Sequence, residues 1–152
     1  MASGGGVQVS NKQVILKDYV TGFPKESDME LRTTTITLKL PQGSTGLLVK
    51  NLYSCDPCMW SRLSKQDRLS YIDSINFHYH FSLTYILYPI IGYRVARVLE
   101  SGNPEFNPGD LVWGLTGWEE HSVLTATESL FKIHNTNVLL SYYIGLLGMP
   151  VC

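Results

Sequence analysis

The apolar positions of this chain recur mostly at a period of two. In "LRTTTITLKLP", Thr33, Thr35, Thr37 and Lys39 fall on one side and Thr34, Ile36, Leu38 and Leu40 on the other, which predicts a half-buried strand stopped by Pro41. Before it, "NKQVILKDYVTGFPKESD" reads as a first strand punctuated by Gly22 and Pro24, and after it "QGSTG" leads into the β-rich "LLVKNLY". Strand character returns in "NFHYHFSLTYILY", where Phe77, Tyr79, Phe81, Leu83, Tyr85 and Leu87 oppose His78, His80, Ser82 and Thr84. It continues through "YRVARVLESG" and "LVWGLTGWEEHSVL", and between these two runs the turn "NPGD" delivers Asp110. Only the closing "NTNVLLSYYIGLLGMP" changes period. Val138, Leu139, Tyr142, Tyr143, Leu146 and Leu147 sit at helical spacing, with Asn137 or Ser141 as N-cap and Gly148 and Pro150 as the stop. The pattern predicts a mainly β barrel or sandwich with one C-terminal helix. No internal repeat is present, and no G-x-G-x-x-G stands between a strand and a helix, so a dinucleotide-binding half is expected to be absent.

Composition narrows the classes. The 152 residues, 44% hydrophobic and 16% charged, suit one globular domain. A net charge of -1 with the 12 Lys and Arg scattered argues against nucleic acid, which requires a concentrated basic face. "MASGGGVQVSNK" lacks the basic start and apolar run of a secretory signal, which predicts a cytoplasmic protein with a loose tail over residues 1–10. No membrane span is expected: the most apolar region, Ile75 to Tyr93, carries two His and a Pro and is patterned as strand. Three cysteines in a reducing compartment read as thiols.

Cys55 and Cys58 in "YSCDPCMWSR" raise the question of chemistry. With His78 and His80 they would make four N/S ligands for zinc, but the spacing is irregular and the histidines sit in an aromatic strand. A redox dithiol would need to open a helix in a βαβ context that is missing here. Unligated thiols, and no metal, are the favoured reading. Glu119 and Glu120, adjacent on a strand, point to opposite faces and cannot both address one substrate, so a solvated face is expected. His121 reads as structural, and Trp113 and Trp118 as packing residues.

Taken in order, "NKQVILKDYVTGFPKESDMEL", "LVKNLY", "SCDP", "PIIGY", "VARVLESG", "GDLVWG", "GWEE" and "LSYYIGLLGMP" resemble the N-terminal part of the plant NADPH-dependent 2-alkenal reductases, or double-bond reductases. These belong to the zinc-independent branch of the medium-chain dehydrogenase/reductase superfamily. The resemblance implies a GroES-like, partly open β-barrel over residues 11–136, followed from 137–152 by the start of a linker helix to a Rossmann domain. It implies hydride transfer from NADPH to the β-carbon of an α,β-unsaturated aldehyde or ketone in the cleft between the domains, with a proton added at the α-carbon. By position, Tyr93 and Cys58 would line the substrate pocket, and Pro57 and Met59 would lie on the nicotinamide side.

Three departures change that expectation. The family's "CDPYMR" is "CDPCMW" here, so Cys58 replaces a phenol that packs and donates a hydrogen bond, and Trp60 replaces an arginine. "GYGV" is "GYRV", placing Arg94 where a glycine permits close approach and where a side chain would obstruct the cleft. Residues 68–88 do not resemble the family at all. As the sequence stops shortly after "GLLGMP", it reads as a truncated member, inactive alone and not binding NADPH by itself. The alternative is an interaction module pairing with itself or with a full-length relative; a small zinc protein ranks below it.

Overall fold

The computed structural model describes residues 6–54, 63–64, 89–134 and 137–145. Within them the chain is mainly β, as its period of two predicts. Seven strands run in order: β1 (Gln8–Leu16), β2 (Met29–Thr37), β3 (Leu47–Ser54), β4 (Ile91–Ser101), β5 (Leu111–Gly117), β6 (His121–Leu124) and β7 (Leu130–Lys132). β3 to β7 form an antiparallel sheet in the order β6-β3-β4-β5-β7, and β1 and β2 form a two-stranded sheet of their own. The consecutive strands β2 and β3 therefore part company after the "QGSTG" turn. β1 begins at Gln8, inside the segment expected to be a loose tail.

The alternation of "LRTTTITLKL" is reproduced residue by residue: the odd positions from Leu31 to Lys39 are exposed, and the even ones are half-buried or buried. β3 behaves differently. Leu47, Leu48 and Val49 are all buried, as in a strand covered on both faces, and register shifts against β4 at Leu48/Val49 and Asn51/Tyr53 accommodate the change. At the centre of the sheet, Val95 and Ala96 are both fully buried, so β4 too is covered on either side.

Three apolar clusters follow from this arrangement. Leu47, Val49, Ala96, Val98, Phe106, Val112 and Leu130 fill one face of the large sheet. Val95 with Ile133 and Ile144 lies on the opposite face, joined by Trp113, Leu140 and Tyr143. Leu16, Val20, Leu63 and Ile90 pack beneath the junction with β1, against Trp118 and Met29. The turn "NPGD" forms as its sequence demands: Gly109 takes φ +95, Asp110 N donates to Asn107 O at 3.0 Å, and Gly109 N to Val98 O at 2.8 Å. Gly102 has a different reason to be glycine, since a Cβ there would run into the Ser44 carbonyl.

The expected C-terminal helix is corrected. Among the described residues this segment is a single 3-10 turn, Leu140–Tyr143, preceded by an extended Leu139 and followed by Ile144. Ser, Tyr, Ile and Gly are all middling or poor helix formers, and the apolar side chains divide instead of forming one stripe. Ile144 enters the cluster with Val95 and Ile133, whereas Leu139 is exposed. Residues 146–152 of the expected helix lie outside the described residues.

Candidate functional site

β4 carries candidate residues on both of its faces. Tyr93 is half-buried, and its ring centroid lies 5.9 Å from that of Trp113, which stacks on Phe131 at 5.0 Å. The three rings come from β4, β5 and β7 in succession. Register explains the row: Val95 is opposite Trp113 and Trp113 opposite Phe131, so Tyr93 meets Trp113 as a diagonal neighbour. Ile91, two residues before Tyr93, and Phe131 are about half exposed, which extends an aromatic and apolar wall to the surface. Such a wall holds a flat, apolar molecule by area and orientation.

Arg94 points the other way. Its Nη1 donates to Glu119 O at 3.2 Å and its guanidinium lies 5.8 Å from the Trp118 ring centroid. Burial pushes its pKa down to about 10, against the opposing pull of Glu119, so it remains charged at neutral pH. Arg94 thus lies on the face of β4 opposite Tyr93, tied to the corner between β5 and β6.

That corner is a dense polar joint. Glu119 Oε2 accepts from Asn11 Nδ2 at 3.0 Å and Gln13 Nε2 at 2.6 Å, and Oε1 accepts from Ser122 Oγ at 2.7 Å. Asn51 Nδ2 donates to Glu119 O at 2.8 Å and to Ser122 Oγ at 3.0 Å, while Asn51 Oδ1 accepts from Thr116 Oγ1 at 2.7 Å. Asn11, Thr116 and Ser122 are buried, and each has a partner, as burial of polar groups requires. Glu119 was expected on a solvated face; it is instead the hub of this network, and only Glu120 is exposed. Both Glu119 oxygens are occupied by donors, which leaves it a poor general base and a good clamp.

His121 follows in β6. Its amide donates to Asn11 Oδ1 at 2.9 Å, and burial, reinforced by Lys50, holds its pKa below the ordinary histidine value. Its Nδ1 is buried with no hydrogen-bond partner among the described residues. The structure thus brings together Tyr93, Trp113 and Phe131 on one face, and Arg94, Trp118 and Glu119 on the other. Cys55, Pro57, Cys58, Met59, Trp60, His78 and His80 lie outside the described residues. Among the described residues no group of three or more His, Cys, Asp or Glu converges in a way that would hold a metal ion. No helix there is long and apolar enough to cross a membrane.

Comparison with known proteins gives this geometry its context. Residues 12–133 match the family described as the N-terminal domain of oxidoreductase. The chain is 60% identical over 144 residues to the NADP(+)-dependent 2-alkenal reductase of Nicotiana tabacum, covering 94% of this chain and 39% of the tobacco protein. Against (+)-pulegone reductase of Mentha piperita it is 42% identical over 148 residues, covering 93% of this chain and 40% of that protein. The crystal structure of CurA from Vibrio vulnificus superimposes with a TM-score of 0.67 at 25% identity, over 91% of this chain and 37% of CurA. The chain thus spans about two fifths of the length of the curated relatives it matches. It belongs to the family of oxidoreductase N-terminal domains, and nearly all of its length is similar to the N-terminal part of a plant NADP-dependent 2-alkenal reductase.

Proposed function

We propose that this chain is the substrate-side domain of an NADPH-dependent 2-alkenal reductase, a GroES-like barrel bounded at about residues 11–136 and working in the cytoplasm. The observation that carries the reading is the aromatic wall of Tyr93, Trp113 and Phe131 on a chain 60% identical to the tobacco enzyme. A conjugated enal or enone is flat and apolar except for its carbonyl, which suits stacking against such a wall. In this reading Tyr93 and Cys58 border the substrate, and Pro57 and Met59 border the nicotinamide. NADPH, when bound, supplies the hydride for the β-carbon, and a proton from solvent completes the α-carbon. The residues of this chain orient the alkene and keep bulk water from its apolar side.

The test is a chimera joining residues 1–152 to the remainder of the tobacco relative. Loss of NADPH absorbance in the presence of a 2-alkenal, with formation of the saturated aldehyde, is the expected result. A chimera that folds and binds NADPH yet reduces no enal or enone would remove the reading. The 152-residue chain assayed alone is expected to show no such turnover.

A further inference from the structure

Among the described residues, no strand pairs with the outer edge of β2. Lys17 N donates to Asp28 O at 2.9 Å and Leu38 N to Val7 O at 2.8 Å at the two ends of the β1/β2 ladder, and the register between them is unbroken. These bonds fix the phase of an antiparallel pair: Glu30, Arg32, Thr34 and Ile36 turn their backbone groups toward β1, and Leu31, Thr33, Thr35 and Thr37 turn theirs away. The same phase holds on β1, whose outward residues Lys12 and Val14 are engaged. Val14 N bonds Trp118 O, Ile90 N bonds Val14 O, and Glu120 N bonds Lys12 O. β1 is thus stitched on both sides at Lys12 and Val14, whereas on β2 the Thr37 carbonyl accepts from Lys39 N at 2.8 Å and, among the described residues, the outward backbone of Leu31, Thr33 and Thr35 meets no other strand.

Within β2 itself nothing guards that edge. Met29–Thr37 contains no Pro, Gly or Lys and no bulge, the devices that usually keep a free strand from pairing. Leu31 stands 68% exposed on it, between Glu30 and Arg32, whose side chains form a loose 3.7 Å ion pair.

We infer that this edge is an interface for a second copy of the same chain, paired antiparallel through β2 about a two-fold axis at Leu31. The sequence is self-complementary about that residue alone among the nearby axes. An axis at Leu31 makes Leu31 a hydrogen-bonded pair with its own counterpart. It also sets Glu30 opposite Arg32 of the second copy, twice, in the closer non-hydrogen-bonded positions. An axis at Arg32 would face arginine with arginine. One at Thr33 would leave Glu30 opposite Ile36 and Arg32 opposite Thr34. The exposed leucine and the two charges therefore choose both the partner and the register. The inference stands independently of the aromatic wall and of the proposed reaction.

Sedimentation equilibrium of the 152-residue chain, with circular dichroism as the check of folding, tests it. A concentration-dependent dimer is expected. Glu30→Arg and Arg32→Glu each place like charges opposite one another at two symmetric positions and should weaken the dimer about tenfold; the double swap should restore it. Register is read separately by Leu31→Cys. Its Cα atoms, about 5.5 Å apart across the axis, fall within disulfide range. Oxidation should give a cross-link through position 31, identified by peptide mass, whereas Thr35→Cys should give none. A monomer at all concentrations, single reversals without effect, a double swap that fails to rescue, or equal cross-linking at both positions would each overturn the inference.

Discussion

Removing the Glu119 carboxylate should cost this domain more than most surface substitutions, although a glutamate followed by a second glutamate looks like ordinary solvated charge. Glu119→Ala removes the acceptor for Asn11 Nδ2, Gln13 Nε2 and Ser122 Oγ. It leaves the buried Asn11 with only its bonds to the His121 backbone and the buried Ser122 hydroxyl with no acceptor among these partners, and it takes the counter-charge that Glu119 sets against Arg94. A hydrogen bond to a charged group contributes about 1.5–3 kcal/mol, and because Glu119 is only half-buried the three together are better set at about 3–4 kcal/mol. With a urea m-value of about 2 kcal/mol/M, the unfolding midpoint should fall by about 1.5–2 M. Urea titration followed by the fluorescence of Trp113 and Trp118 measures this directly. Glu119→Gln keeps the shape and one acceptor, and should lose about 1–2 kcal/mol by the same account. A double-mutant cycle with Gln13→Ala should show coupling, because both changes remove the same bond. If Glu119→Ala lies within about 1 kcal/mol of the parent, the joint contributes little net stability and the reasoning fails.

In the tobacco chimera, Tyr93→Ala removes a ring worth about 2 kcal/mol of apolar contact and should lower kcat/KM about 30-fold, with Tyr93→Phe closer to the parent; equal rates for all three would take Tyr93 off the substrate wall. Asp110 has a depressed pKa, first through its hydrogen bond with Lys132 Nζ at 2.7 Å and then through Asn107 N. Its stabilising contribution is therefore complete above the ordinary aspartate range and lost as pH falls through the folded value, so Asp110→Asn should flatten the acid limb of a stability-pH curve. His121 acts in the same direction at higher pH. Its folded pKa is held down by burial, so the unfolded chain takes up the proton first and stability declines as pH falls below about 6.5, a slope that His121→Gln should remove. Gly102→Ala, which forces a Cβ against the Ser44 carbonyl, should lower the thermal midpoint although no side chain is lost.

How much of this was legible beforehand depended on whether the signal was local. The alternation from Leu31 to Leu40 reports a strand with one wet face, and the burial of its even positions follows from the period alone. The turn at Pro108 and Gly109 was equally readable, because φ > 0 is written into the glycine. The polar joint was not. Asn11, Asn51, Thr116 and Ser122 are unremarkable residues in four different strands, brought together by a sheet order that no local spacing announces. The final segment failed for a different reason. Its helical spacing was real, but one turn of poor helix formers gains more by sending Ile144 into the cluster with Val95 than by completing a helix.

The two faces of β4 separate what the sequence presented as neighbours. Tyr93 and Arg94 are adjacent letters in "GYRV", and a resemblance read letter by letter assigns both to one cleft. The pleat sends them to opposite sides. Tyr93 joins the aromatic wall, and Arg94 joins the clamp made by Trp118 and Glu119. An arginine in a glycine's place therefore need not close the substrate side. Its cost falls on burial, as its depressed pKa shows, and its return is a tie between β4 and the β5 to β6 corner. Arg94→Gly should accordingly loosen that corner, raising amide exchange at Glu119 and Glu120, while leaving the enal KM of the chimera unchanged. A large fall in KM instead would return Arg94 to the cleft.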